Sequence, residues 1–388
     1  MEFPPQPSLK YDFLADELSR HGADAYVHVG DRFDEMLTYL TRFNGPDRDC
    51  AFVYVDGTAT LCPPDRFGEQ GEREFPGDAV DMTNASERPP AEERAHYVLE
   101  RAKEVETVLL PEDVTYRTVQ RFQDFGYDTE IGAIPWDARS IKNEGEQAQL
   151  AAIEEVSQRA LARAETILAE ADASGSVVEW DGDQLTTERL RREINAVIAH
   201  EGGNHAGSTV VGAGTSCADL HFNGDDLVNA DETVLIDLGL RGPHGYYGDI
   251  SRTFVPGTPG EWELEAFEAV SAAFDGAMAV LEEGAGVRAG AVQDRVAEEL
   301  AEYGYETGDV EVGLYHGPGH GIGISIHEPP FLSTDDVLRA GHVITVEPGV
   351  YDPEKGGVRL EDMLLITEDG YENFVDYPKS LIPVSRER

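Results

Sequence analysis

The sequence is short of lysine. Among its 388 residues only Lys10, Lys103, Lys142, Lys355 and Lys379 are lysines. All basic residues together number 30 against 76 acidic ones, a net charge of −46. A surface so negative excludes a protein that holds nucleic acid or anionic lipid by charge, because both are polyanions. Cysteine is scarce too. Cys50, Cys62 and Cys217 are odd in number and lack CxxC spacing, which excludes a zinc knuckle and a disulfide scaffold. No stretch approaches the roughly 20 apolar residues that span a bilayer. Met1-Glu-Phe-Pro-Pro5 has no basic region followed by an apolar run, so it does not read as a signal peptide. No membrane partner is expected, and the expected compartment is the cytoplasm.

Apolar residues are not lacking. At 40% of the chain they suffice for a proper core, and their periodicity persists almost throughout, unlike a disordered acidic chain. The charge is therefore a surface property. This lysine-poor, acid-rich balance resembles cytoplasmic proteins of salt-accumulating halophiles, where concentrated cations screen self-repulsion.

The length suits two domains. The first part alternates helices and strands: helices near 8–22, 33–43, 95–105 and 116–125, strands at 25–29, 50–55, 58–62 and 107–110. Asp56-Gly57 between two apolar runs predicts a type I′ hairpin. Residues 63–93 are polar and rich in Pro, Gly and Glu, which predicts a long loop. This small α/β domain should end at residue 135, with a linker over 134–143. Helices are expected at 144–171 and from Thr186 or Thr187 to His200, with Thr187 as a candidate N-cap. Strands follow at 208–211, 219–222, 233–240 and 246–254, helices at 261–283 and 287–303, and a strand pair at 343–351 and 357–367.

The chemistry concentrates in the second part. His316-Gly-Pro-Gly-His320-Gly-Ile-Gly-Ile-Ser-Ile-His327 places three histidines among four glycines. That glycine content disfavours a helix, and Ile322–His327 reads as a strand. His320 and His327 are seven apart, so a straight strand would point them to opposite faces. If both reach one pocket, the glycines must bend the chain. Asp237 lies in the apolar run Val-Leu-Ile-Asp-Leu, where an ionised carboxylate is costly unless paired or bound to metal. Pairing 233–240 with 246–254 about a turn near Pro243 sets Asp237 directly opposite Asp249. Folding the later pair about Glu354 sets Glu347 opposite Glu361. Like charges opposed across a sheet destabilise it unless a cation lies between them. Four carboxylates and one imidazole suit two divalent ions sharing a water, and Mn²⁺, Fe²⁺, Co²⁺ and Zn²⁺ all accept such a donor set.

Asp237, Asp249, His320, Glu347 and Glu361, in this order and local context, resemble the metal set of the pita-bread metallopeptidases. His316-Gly-Pro-Gly-His320-Gly-Ile-Gly, His327-Glu, Val-Glu347-Pro-Gly-Val-Tyr and Val-Arg359-Leu-Glu361-Asp are most similar to the prolidase and aminopeptidase P branch. The resemblance covers about residues 140–385. It implies an α+β chain, with a creatinase/prolidase-like N-terminal domain over 1–135 and a pita-bread catalytic domain over 136–388. It also implies two divalent metal ions, Mn²⁺ first with Co²⁺, Zn²⁺ and Fe²⁺ open, and a homodimer acting on proline-containing peptides. Asp237 would chelate one metal, Asp249 and Glu361 would bridge both, and His320 and Glu347 would complete the coordination of the second metal. Glu347 would act as general base for the bridging water. His221 and His327 would line the substrate pocket, with His327 stabilising the tetrahedral intermediate. His316 and Arg359 would hold the residue beyond the scissile bond, unless Arg359 instead orients a carboxylate. Three features depart from the family's pattern: the segment 207–214 before His221, His342, and Gly248 before the second aspartate.

The expected function is hydrolysis of Xaa–Pro bonds. A creatinase-like amidohydrolase lacks this metal set, and a methionine-type aminopeptidase usually lacks the N-terminal domain. A non-catalytic peptide-binding module on the same fold would typically have lost ligands.

Overall fold

The computed structural model describes residues 2–133 and 136–386. It divides into two compact units, one formed by Gln6–Arg139 and the other by Ser140–Arg388 together with Met1–Pro5. Ile134 and Pro135 of the expected linker lie outside the described residues.

In Gln6–Arg139 a six-stranded sheet runs in the order Ala79–Val80, Thr58–Cys62, Cys50–Val55, Ala25–Gly30, Thr107–Leu110, Asp128–Ile131. The Asp56-Gly57 hairpin forms as expected. Val55 pairs with Thr58, and both loop residues have positive φ, 52° and 72°, as a type I′ turn demands. Ala25, Val27, Ala51, Val53, Val108, Leu110 and Phe122 form a fully buried core. Two expectations fail here. The helix placed at 95–105 runs over Ala91–Leu99, because Pro90 can sit at a helix start but not inside one. The expected loop at 63–93 holds the helix Gly68–Glu74 and the strand Ala79–Val80, which pairs in parallel with Thr58–Cys62. Gly71 and Phe75 are buried there, so tertiary docking orders a segment whose polar composition hides it.

The larger unit is built from two similar halves. In the first, the helices Glu144–Glu170 and Thr187–His200 pack on Asn204–Ala213 and Val234–Arg241 through Ile153, Leu161, Ile194, Val211 and Ile236. In the second, Glu261–Leu281 and Ala289–Glu302 pack on the hairpin of 343–367 through Val270, Phe274, Val296, Ile344 and Leu364. The long helix starts at a capping box: the Asn143 side chain accepts from Gly145 N and Glu146 N, and Glu146 returns the bond to Asn143 N. At the next helix Thr186, not Thr187, is the N-cap, accepting from Arg189 N.

Val234–Arg241 is the central strand of its sheet, with Asn204–Ala213 on one side and Tyr247–Gly248 and Ser251–Phe254 on the other. The later hairpin bridges two sheets. Val343–Val346 pairs with Asp362–Thr367 in a five-stranded sheet, and Gly349–Asp352 pairs with Gly356–Arg359 in a four-stranded one. Residues 347–348 and 360–361 fall at the handover. The expected strand at 219–222 is instead a turn, with Phe222 N donating to Asp219 O at 3.0 Å. Among the described residues no helix is long and apolar enough to cross a membrane.

Candidate metal and active site

The first carboxylate pair is not directly opposed. Asp237 pairs with Ser251, and Leu240 with Gly248. The turn centres on His244 rather than Pro243, closed by Gly242 N to Tyr246 O at 2.8 Å. That slips the register by two residues. A two-residue slip preserves the face, so Asp237 and Asp249 still reach one cavity, diagonally. The second hairpin keeps the expected register, with Val346 opposite Asp362 and Gly349 opposite Arg359. Glu347 and Glu361 sit in the gap between these ladders, and Glu361 N turns to Ser251 O at 3.1 Å.

The histidine stretch also corrects an expectation. Ile322–His327 is not a strand. The chain pairs only at His320–Gly321, bends through 322–327, and returns antiparallel as Glu328–Phe331. A Cβ on Gly321 would lie 2.5 Å from the carbonyl oxygens of Glu328 and Pro329, so only glycine permits this close return. The bend brings the His320 and His327 rings to 4.4 Å, edge to face, and resolves the spacing conflict.

A cavity of about 530 Å³ collects the expected residues: Asp237, Asp249, His320, Glu347 and Glu361, with His221, His316, His327 and Arg359. Ligand atoms of Asp249, His320 and Glu361 lie within 4.8 Å of one another. The His320 Nδ1 lies 3.0 Å from Gly321 O. A carbonyl only accepts, so Nδ1 carries the proton and Nε2 presents a lone pair, 3.4 Å from Glu347 Oε1. Burial and the neighbouring His327 push the His320 pKa down to about 4, keeping the ring neutral. His316 is held likewise. Its Nδ1 donates to Gly317 O at 2.7 Å, its Nε2 accepts from the Tyr351 hydroxyl at 2.8 Å, and burial lowers its pKa to about 3.

The carboxylates show strain of charge. Burial, then Asp237 and Glu347, raise Asp249 well above the carboxylate range. Burial, then Asp249 and Glu347, do the same to Glu361. Burial and Asp237 push Glu347 up to about 8 against the opposing pull of Arg359. Arg359 is the nearby cation, and its fork is already engaged. It pairs with Asp237, and donates to the Tyr351 hydroxyl at 3.0 Å and to Ser251 Oγ at 3.0 Å. Crowded carboxylate oxygens beside one neutral imidazole nitrogen fit divalent cations, which would replace the protons those carboxyls otherwise hold.

Sequence reasoning missed three neighbours. Tyr351 links Arg359 to His316; it is spaced at i+4 from Glu347, so alternation could have found it. Ser251 donates to Glu361 Oε2 at 2.7 Å, and only the true register reveals it. Glu154 accepts the Asp249 amide at 3.0 Å; its signal was an acid on the buried helix face of Leu150, Ile153 and Leu161.

Comparison with known proteins identifies the family. Metallopeptidase family M24 matches residues 148–368. An Xaa-Pro dipeptidase of Pyrococcus furiosus is 30% identical over 344 residues, covering 85% of this chain and 88% of the relative. The solved prolidase from Pyrococcus furiosus superposes with a TM-score of 0.77 at 25% identity, covering 94% of this chain and 99% of that one. The X-Pro aminopeptidase from Thermotoga maritima shares the fold with a TM-score of 0.77 at 23% identity, covering 95% of this chain and 100% of that one. The expected architecture, a smaller N-terminal domain before a pita-bread catalytic domain, is therefore correct. The chain belongs to metallopeptidase family M24 and is a metal-dependent peptidase.

Proposed function

We propose that the protein is an exopeptidase hydrolysing Xaa–Pro bonds at a dinuclear divalent metal centre, with residues 1–135 as the N-terminal domain and 136–388 as the catalytic one. The observation that carries this reading is the single cavity in which Asp237, Asp249, His320, Glu347 and Glu361 converge. Asp237 would hold one metal, Asp249 and Glu361 both, and His320 with Glu347 the other. Mn²⁺ is the first choice. Bound there, the ions would acidify a shared water into a hydroxide nucleophile and polarise the scissile carbonyl.

The chain's own residues supply the rest. The Glu347 carboxylate takes the proton from the attacking water and returns it to the leaving proline nitrogen. His327 donates to the carbonyl oxygen as negative charge grows on it. His221 and His316 line the pocket, and Arg359 orients the Asp237 carboxylate. The relatives named for Xaa-Pro dipeptidase, prolidase and X-Pro aminopeptidase activity support the proline-containing substrate class. A cytoplasmic homodimer working in high salt completes the proposal.

The test is hydrolysis of an Xaa–Pro dipeptide beside an Xaa–Pro–Xaa tripeptide, in concentrated KCl with Mn²⁺. A non-proline dipeptide and Glu347→Ala serve as controls. Cleavage of the dipeptide alone defines a prolidase, and cleavage of the tripeptide at its Xaa–Pro bond an aminopeptidase P. Turnover of the non-proline control alone removes the substrate assignment. Glu347→Ala should lose more than about 100-fold in kcat, the scale of a lost general base.

A further inference from the structure

Asp249 stands where a strand breaks. Tyr247–Gly248 and Ser251–Phe254 share one register against Val234–Arg241, and residues 249–250 between them belong to neither strand. Ile250 keeps a ladder bond, accepting from Leu238 N at 3.0 Å. The Asp249 amide, one residue out of phase with that bond, faces away from the central strand and donates to Glu154 Oε2 at 3.0 Å. Glu154 projects from the middle of the helix Glu144–Glu170 and is fully buried. A buried carboxyl costs stability unless its hydrogen bonds are made, yet Glu154 Oε1 accepts none. Glu154 is not among the residues lining the cavity, so it reaches the site only through Asp249.

Gly248 makes this contact possible. A Cβ there would lie 2.7 Å from Ser157 Oγ and 3.1 Å from Glu154 Oε2. The strand backbone rides on the helix at this point, and a side chain would lift it off. Glu154 and Gly248 thus fit as a unit: one supplies an acceptor to an amide that faces away from the central strand, the other the room for it.

We infer that Glu154 is a positioning residue for the metal site, fixing the main chain at Asp249 so that its carboxylate meets His320 and Glu361. The inference rests on the reading of Asp249 as a metal ligand. Because the Asp249 amide needs only an acceptor, the amide oxygen of glutamine should serve as well as the carboxylate. A residue of similar length without an acceptor should not.

The experiment is Co²⁺ and Mn²⁺ titration of metal-stripped protein in concentrated KCl, read by calorimetry and by the visible absorption of bound Co²⁺. Glu154→Met should weaken binding by about 10–100-fold, the usual cost of losing a group that orients a ligand, and change the Co²⁺ spectrum. Glu154→Gln should restore parental affinity and spectrum. A Met variant with parental affinity and spectrum, or a Gln variant that fails like Met, overturns the inference. If Glu154→Met does not fold, Gly248→Ala presses on the same oxygen from the strand side. Weakened binding in that variant supports the inference, and parental binding overturns it. Asp249→Ala separates the underlying reading, since parental metal binding there removes Asp249 as a ligand, whatever Glu154 does.

Discussion

Glu347, Asp249 and Glu361 make the metal-free site sensitive to pH. Burial and mutual repulsion raise all three pKa values above those of free carboxylates, Glu347 to about 8. The folded protein therefore holds protons that the unfolded chain releases. The stability this contributes is fully present below about pH 4, the range of the unfolded carboxyls, and is lost as pH rises through the folded values. Metal-stripped protein in fixed KCl should show a thermal midpoint that falls from about pH 5 to about pH 8. Mn²⁺ binds the ionised carboxylates, so the stabilisation it gives should grow over the same window. A flat midpoint in stripped protein would show that the cluster carries no such protons.

At the scale of elements, the segment bearing His327 is pinned by a buried ion pair. Four of the five lysines are exposed, and Lys142 is the exception. Its ammonium donates to Glu328 Oε1 and to Ser140 O, the latter at 3.1 Å. The Lys142 and Glu328 side chains are 2% and 0% exposed. Glu328 follows His327 directly and begins the returning strand, so this pair fixes where the bend ends. Lys142→Met removes the counter-charge while Glu328 stays buried, and should cost about 3–5 kcal/mol. The double variant Lys142→Met/Glu328→Leu should regain much of that loss, because replacing both buried charges by apolar groups is often near neutral. Urea unfolding in concentrated KCl measures both. Equal losses in the single and double variants would mean that the apolar packing, not the charge pair, is what matters there.

For the whole molecule, charge sets the conditions of folding. The formal net charge of −46 repels itself over a range set by salt, with a Debye length of about 3 Å at 1 M and about 30 Å at 0.01 M. Dialysis from concentrated KCl into dilute buffer should abolish the cooperative unfolding transition followed by circular dichroism. Retention of that transition in dilute buffer would show that the fold tolerates its own charge without screening.

The sequence by itself determined most of what is local. The Asp56-Gly57 turn, the Asn143 capping box and the long amphipathic helices follow from residue types within a few positions of each other. So does the identity of the four carboxylates, because acids inside apolar strands are legible without a fold, while His221 and Arg359 entered only through the family resemblance. Tertiary structure decided the rest. It placed Asp237 opposite Ser251 instead of Asp249, since one more residue on each side of a turn is invisible to a pattern with period two. It folded 322–327 back on itself, since glycine permits many paths and only packing selects one. It ordered the segment 63–93, whose polar composition carries no periodic signal. It also brought Glu154, from a helix nearly a hundred residues earlier in the chain, under the amide of Asp249. That contact joins elements distant in sequence, and only packing could bring them together.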